Sequence, residues 1–279
     1  MTTLTPELTL PQARPARNPL APLATLARRR FQLTVRTPRE LAVPLITPIL
    51  FALVIAPALK QALHTGAAYE SFVATGTIGL LIPLNTLFSG LSVIVDRESG
   101  AQRELLAAPI PRPLLVLGNL VVAFAITALQ IAVLIGVAVA RGIHFDVSGT
   151  GLAWFLGAGA LFTVGMYGVA ETLAGRIPKA EEYIARVPAI GIVPWFLAGA
   201  LFPIQALPGF LTWIARFLPL THALALVRYG LLDDRGALHD IWGMSSASAM
   251  AGLSLLVVAG FAAALTAVSI RVFTRSAVG

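Results

Sequence analysis

The run Asp96-Arg97-Glu98-Ser99-Gly100-Ala101-Gln102-Arg103-Glu104-Leu105-Leu106-Ala107-Ala108-Pro109 places five charged residues between two apolar stretches, residues 80–95 and 114–140, that carry none. The flanking stretches belong to segments long and apolar enough to cross a bilayer, whose core takes about 20 residues of helix. The charged run therefore lies in water, as a loop between two spans. Ser99 followed by Gln102 three residues on forms a capping-box pattern, and Pro109, Pro111 and Pro113 stop a helix. The spacing predicts a short helix over residues 99–108. Taken alone, such a loop also fits an ordinary solvated connector.

Composition extends this reading to the whole chain. Hydrophobic residues make up 57% of the 279 positions and charged residues 12%, against about 25% charged in soluble domains. The fold class is an all-α integral membrane protein. Cysteine is absent, which excludes disulfides and thiol chemistry. The net charge of +7 sits at span ends rather than on a basic face with interleaved aromatics, so membrane topology explains it better than nucleic acid does.

Residues 1–19 hold Pro6, Pro11, Pro15 and Pro19 with Arg14 and Arg17. They bury too little apolar surface to fold, so a disordered cytoplasmic tail is expected. They lack the apolar core of a signal peptide, which leaves insertion to the first span. Residues 20–37 are amphipathic at 100° per residue. Leu23, Leu26, Ala27, Phe31 and Leu33 fall on one side, Arg28, Arg29, Gln32 and Arg36 on the other, and Arg30 within the apolar arc. Such an interfacial helix lies in the headgroup plane, its arginines drawn to anionic lipid by about 1 kcal/mol each. Positive-inside anchoring accounts for the same arginines equally well. Pro38 ends the helix, and residues 38–279 form one transmembrane domain.

Six spans are predicted, over residues 41–59, 71–95, 114–140, 151–173, 187–202 and 243–270. Pro44, Pro48 and Pro57 should bend the first. Gly76, Gly79 and Gly90 in the second and Gly157, Gly159, Gly165 and Gly168 in the fourth should permit close helix approach. Polar side chains in the spans are few: Asn85, Asn119, Gln130 and Glu171 are the candidates for lining a pathway. Between the fifth and sixth spans, residues 209–218 and 220–232 are apolar pieces too short to cross. They are expected as re-entrant outer helices marked by Pro208, Trp213, Arg216, Pro219 and Arg228. Trp195, Trp213 and Trp242 fit an aromatic belt around them. Residues 233–240 are expected as a wet outer loop. With both termini inside, only Lys60, Arg141, Arg216, Arg228 and Arg235 fall outside, leaving 15 of the 20 basic residues cytoplasmic.

Several chemistries are excluded. No phosphate loop of the GxxxxGK[ST] type occurs, so the chain does not bind ATP by itself. His64, His144, His222 and His239 are scattered, without metal-ligand spacing, and GxSxG is absent; neither catalytic nor metal residues are assigned. Ion-driven carriers place ionisable groups at mid-membrane, and only Glu171 comes near. Energy should therefore enter through the cytoplasmic loops from a separate ATPase.

Residues 96–100, Glu104-Leu105-Leu106, Pro109-Ile110-Pro111-Arg112 and Leu117-Gly118 resemble the signature of the ABC type-2 transporter permeases. Ala198-Gly199-Ala200-Leu201-Phe202-Pro203-Ile204, Leu207-Pro208, Phe217-Leu218-Pro219-Leu220-Thr221 and Arg228 resemble the same family's second landmark. The nearest subgroup by resemblance is the daunorubicin-resistance and nodulation-type permeases. The resemblance implies a dimer with a second copy or a paralogue, and separate ATPase subunits that hold ATP and Mg. It makes residues 97–108 a coupling helix, with Arg97, Glu98, Ser99, Gly100, Gln102, Arg103, Glu104, Leu105 and Leu106 as its ATPase-coupling residues. The function then expected is that of a cell-membrane permease subunit, in a bacterial cytoplasmic membrane, exporting a drug-like natural product, glycolipid or lipid-linked saccharide. A gradient-driven carrier and a membrane-embedded lipid enzyme are the alternatives. The first needs charge inside the membrane, the second a cluster of acid, base or metal residues at one face.

Overall fold

The computed structural model describes residues 45–66, 68–101 and 112–276, with further helical positions at 24–25, 27–28 and 31–32. Arg28 is exposed in helical backbone, while Arg29, Arg30 and Arg36 lie outside the described residues. Regular structure among the described residues is entirely helical.

Helix α1 (Leu45–Ala62) turns π-helical over Phe51–Ile55, closed by the Ala56 N–H donating to the Phe51 carbonyl. Pro57 explains this: it has no N–H for the Leu53 carbonyl and its ring crowds that oxygen, so the turn widens. Helix α2 (Ala68–Glu98) continues through Pro83 and is longer at both ends than residues 71–95. Helix α3 is Arg112–Ala140. Helix α4 (Gly149–Ala174) is capped by Ser148, whose Oγ accepts from Gly151 N–H at 2.9 Å.

Helix α5 (Ala180–Leu197) departs from the predicted span at residues 187–202. It begins earlier, among Glu181 and Glu182, and ends at Leu197, after which Gly199 takes φ 79°. Helices α6 (Gly209–Phe217) and α7 (Pro219–Leu232) match the two short apolar pieces and meet at an 80° bend. Pro219 disfavours helical backbone at Leu218, which sits extended at ψ 124°. Where a wet loop is expected, helix α8 (Gly236–Trp242) buries Leu238 and Ile241. Gly243, at φ 65°, ends α8 rather than starting the last span, and α9 runs Ala247–Ser276.

Five of these helices are long and apolar enough to cross a membrane: α1, α2, α3, α4 and α9. The bent pair α6 and α7 would make a sixth if it counts as one span. Helix α5 carries too many charged residues to qualify, Glu181, Glu182 and Arg186 among 18, yet it follows α2 along most of its length. Near its start the Tyr183 hydroxyl donates to the Leu87 carbonyl at 2.7 Å, and near its end Trp195 Nε1 donates to the Gly76 carbonyl at 2.8 Å.

The core is built around α2, whose three interior glycines each meet a different partner. A Cβ at Gly76 would strike the Ala200 carbonyl, one at Gly79 the Leu224 side chain, and one at Gly90 the Tyr183 hydroxyl. In α4 only part of the expected glycine face is packed. Gly165 and Gly168 lie against Phe261 and Leu265 of α9, Gly157 barely touches Leu255, and Gly159 meets nothing. Gly151 and Gly230 bring the backbones of α4 and α7 into direct contact.

Candidate functional site

The C-terminus of α2 is tied to the connection between α4 and α5. The Arg97 guanidinium donates to three carbonyls at and just after the end of α4: Nη1 to Ala174 at 2.9 Å, Nη2 to Ile177 at 2.6 Å and to Pro178 at 3.1 Å. Glu98 Oε1 accepts from Ala180 N–H at 3.3 Å, a carboxylate at the first turn of α5, where it answers unpaired N–H groups and the helix dipole. Arg97 and Glu98 thus belong to the last turn of α2 rather than to a separate short helix. Ser99 Oγ donates back to the Asp96 carbonyl at 3.2 Å, and Gly100 turns the chain at φ 81°. Gln102, Arg103, Glu104, Leu105 and Leu106 lie outside the described residues.

Next to this clasp, Glu171 is buried and accepts a hydrogen bond from the Tyr167 hydroxyl. Tyr183, between Leu87 and Gly90, was not picked out from sequence. A lone tyrosine after two glutamates carries no signal until α5 is laid against α2.

In the interior two of the four pathway candidates meet. Asn85 Nδ2 on α2 donates to Gln130 Oε1 on α3 at 2.5 Å. Gln130 is 1% exposed and its Nε2 has no hydrogen-bond partner. Asn119 sits three turns earlier on α3, about 16 Å along the axis, and Glu171 sits at the clasp, so the four do not form one site.

At the opposite end, the segment Ala198–Pro203 is held carbonyl by carbonyl. Arg228 Nη2 donates to the Gly199 carbonyl at 2.8 Å and the Ala200 carbonyl at 3.1 Å, and the Tyr69 hydroxyl donates to the Leu201 carbonyl at 2.9 Å. The Arg228 guanidinium also lies 3.5 Å from the centre of the Phe72 ring. Arg228 is 3% exposed, so within the expected outer segment it is a buried strut. Trp213 and Arg216, by contrast, are exposed on α6, with Phe210 and Phe217 also exposed. Pro208 and Pro219 stand at the starts of α6 and α7. A third cluster joins α1, α2 and the end of α3. Buried Glu70 accepts from Lys60 Nζ at 2.7 Å and pairs with Arg141 at 3.6 Å, while Arg141 Nη1 donates to the Ala52 carbonyl at 2.5 Å. Glu70 lies in the first turn of α2.

The ABC-2 type transporter family model matches residues 22–232, which takes in the clasp, the interior pair and the Arg228 strut. The chain is similar to the protein named "Putative transport permease ycf38" of Porphyra purpurea, 26% identical over 214 residues, covering 74% of this chain and 72% of the relative. It is similar to the protein of the same name from Pyropia yezoensis, 26% identical over 199 residues, covering 70% and 68%. Apolar helices of spanning length, a clasp from α2 to the α4–α5 connection at one end and a family match over most of the chain lead to one conclusion: this is a multi-pass membrane protein belonging to the ABC-2 type transporter family.

Proposed function

We propose that the chain is the permease subunit of an ATP-driven exporter, with the Arg97 end as the docking face for a separate ATPase that holds ATP and Mg. The observation that carries this reading is the Arg97 fork. A push on residues 99–111 reaches the Ala174–Pro178 carbonyls through charge-assisted hydrogen bonds, and from there the start of α5. Glu98 supports α5 from within, so the ATPase contact falls on Gln102, Arg103 and Glu104. The apolar spans favour a hydrophobic or amphipathic substrate such as a drug-like natural product or a glycolipid. Two permease copies, or a copy and a paralogue, enclose the pathway in the cell membrane, with the arginines of residues 20–37 at the cytoplasmic surface.

The test is isolation of the chain from its native membrane in mild detergent, followed by assay for ATP hydrolysis. The wild type should carry an ATPase whose hydrolysis depends on the permease. Glu104→Ala should keep the helical circular dichroism and lose that activity. A wild type without ATPase activity, or a Glu104→Ala complex with unchanged activity, overturns the proposal.

A further inference from the structure

At the end of the bundle away from Arg97, a cavity of about 170 Å³ opens between α2, α7 and α8. Its polar lining is Thr221, Arg228, Asp234 and Asp240, and Phe72, Ile204 and Ala225 contribute to the apolar wall. Two of the polar groups are buried and each leaves one polar atom without a partner. Arg228 and Thr221 are each 3% exposed, and Arg228 Nε and Thr221 Oγ1 have no hydrogen-bond partner in the protein. Buried polar atoms are almost always hydrogen-bonded, so both are free to serve a polar group in the cavity.

The carboxylates across the cavity make the complementary demand. Asp234 uses Oδ1 to accept from Gly236 N–H at 2.8 Å. Asp240 forms no ion pair among the described residues, and burial, with the charge of Asp234 adding, pushes its carboxyl up from the ordinary range. Neither touches Arg228 closely enough to form a salt bridge. A single anion would meet Arg228 but face two carboxylates. A single cation would meet the carboxylates but sit beside a guanidinium whose Nε–H stays unanswered. A group bearing both charges satisfies both sides.

We propose that this cavity binds a zwitterionic group, its acidic oxygen taken by Arg228 Nε–H and the Thr221 hydroxyl, its ammonium by Asp234 and Asp240. Phosphoethanolamine has this chemistry, either as a lipid headgroup or as a free solute. The site is independent of ATPase docking, and the two proposals fail separately.

The purified full chain in neutral detergent is titrated calorimetrically with free phosphoethanolamine, and by native mass spectrometry with phosphatidylethanolamine. Glycerol phosphate and phosphatidylglycerol, which carry only negative charge, and choline, which carries only positive charge, serve as controls. At least one phosphoethanolamine probe should bind saturably, one per chain, with the controls roughly tenfold weaker or silent. Asp240→Asn and Thr221→Val should each weaken binding about tenfold at unchanged melting temperature. These variants avoid Arg228, whose loss would also free the Ala198–Pro203 segment. Lipid binding without solute binding assigns the site to a headgroup, and solute binding within tenfold of the lipid assigns it to a soluble ligand. No saturable binding of either probe, equal binding of a control, or unchanged affinity in both variants overturns the proposal.

Discussion

Arg97 shows how one side chain can be both a loop charge and a structural joint. Its fork reaches three carbonyls at and just after the end of α4, and a planar guanidinium presents five donors in a fixed fork where an ammonium presents three on a flexible stem. Each charge-assisted bond is worth about 1.5–3 kcal/mol when sheltered. Partial exposure reduces this, so the clasp as a whole should contribute on the order of 1–3 kcal/mol locally. Arg97→Ala should therefore speed amide exchange over residues 175–183 by about tenfold or more, with Arg97→Lys recovering only part of the protection. Hydrogen–deuterium exchange read by mass spectrometry checks it, and unaltered exchange in Arg97→Ala removes the clasp from the account. Glu98 illustrates the converse. From sequence it is one of the expected ATPase-coupling residues, and in the fold it accepts from the first N–H of α5.

Among elements, α4 separates glycines that look alike in sequence. A Cβ at Gly168 would come within 2.7 Å of the Leu265 backbone of α9, whereas one at Gly159 would meet nothing within 4 Å. Backbone cannot yield as a flexible side chain can, so overpacking costs about 1–3 kcal/mol. At Gly159, relief of glycine's conformational freedom favours alanine by up to about 1 kcal/mol. Gly168→Ala should lower the melting temperature in detergent, while Gly159→Ala should leave it equal or higher. The reverse order would mean that α4 and α9 do not approach as described. The bend between α6 and α7 rests on a shorter-range cause, the exclusion of helical backbone before Pro219, and this one is legible in the sequence.

For the whole molecule, the two ends of the bundle carry different chemistry, with the Arg97 clasp at one and the Arg228 strut and its cavity at the other. Under the proposed function the clasp end faces the cytoplasm, the side that the distribution of basic residues predicts for it. With no native cysteine to interfere, single substitutions read this directly. Arg235→Cys should react with a membrane-impermeant maleimide added to intact cells, and Gln102→Cys should react only after permeabilisation. Labelling of Gln102→Cys from outside would invert the orientation and remove the ATPase docking face.

The spans, their break at the charged run and the paired short helices were determined by sequence alone, because hydropathy and proline act over a few residues and need no partner. Lengths erred where a cap or a glycine set the limit, as at Gly243, which closes α8 instead of opening α9. The fifth span erred for a different reason: α5 gains its register from Tyr183 on Leu87 and Trp195 on Gly76, contacts spanning 96 and 119 positions. The charged stretch of residues 96–109 stands out by its charges and the family landmark, but the partners of Arg97 and Glu98 lie about 80 residues away. Arg228 was legible as a landmark residue, yet only the tertiary structure buried it, because its acceptors at Gly199 and Ala200 come from the turn after α5 and its ring partner Phe72 from α2. In a chain whose helices are apolar nearly all round, the pattern along one helix says little about which face meets which neighbour. Close packing at glycines and the few polar ties decide it.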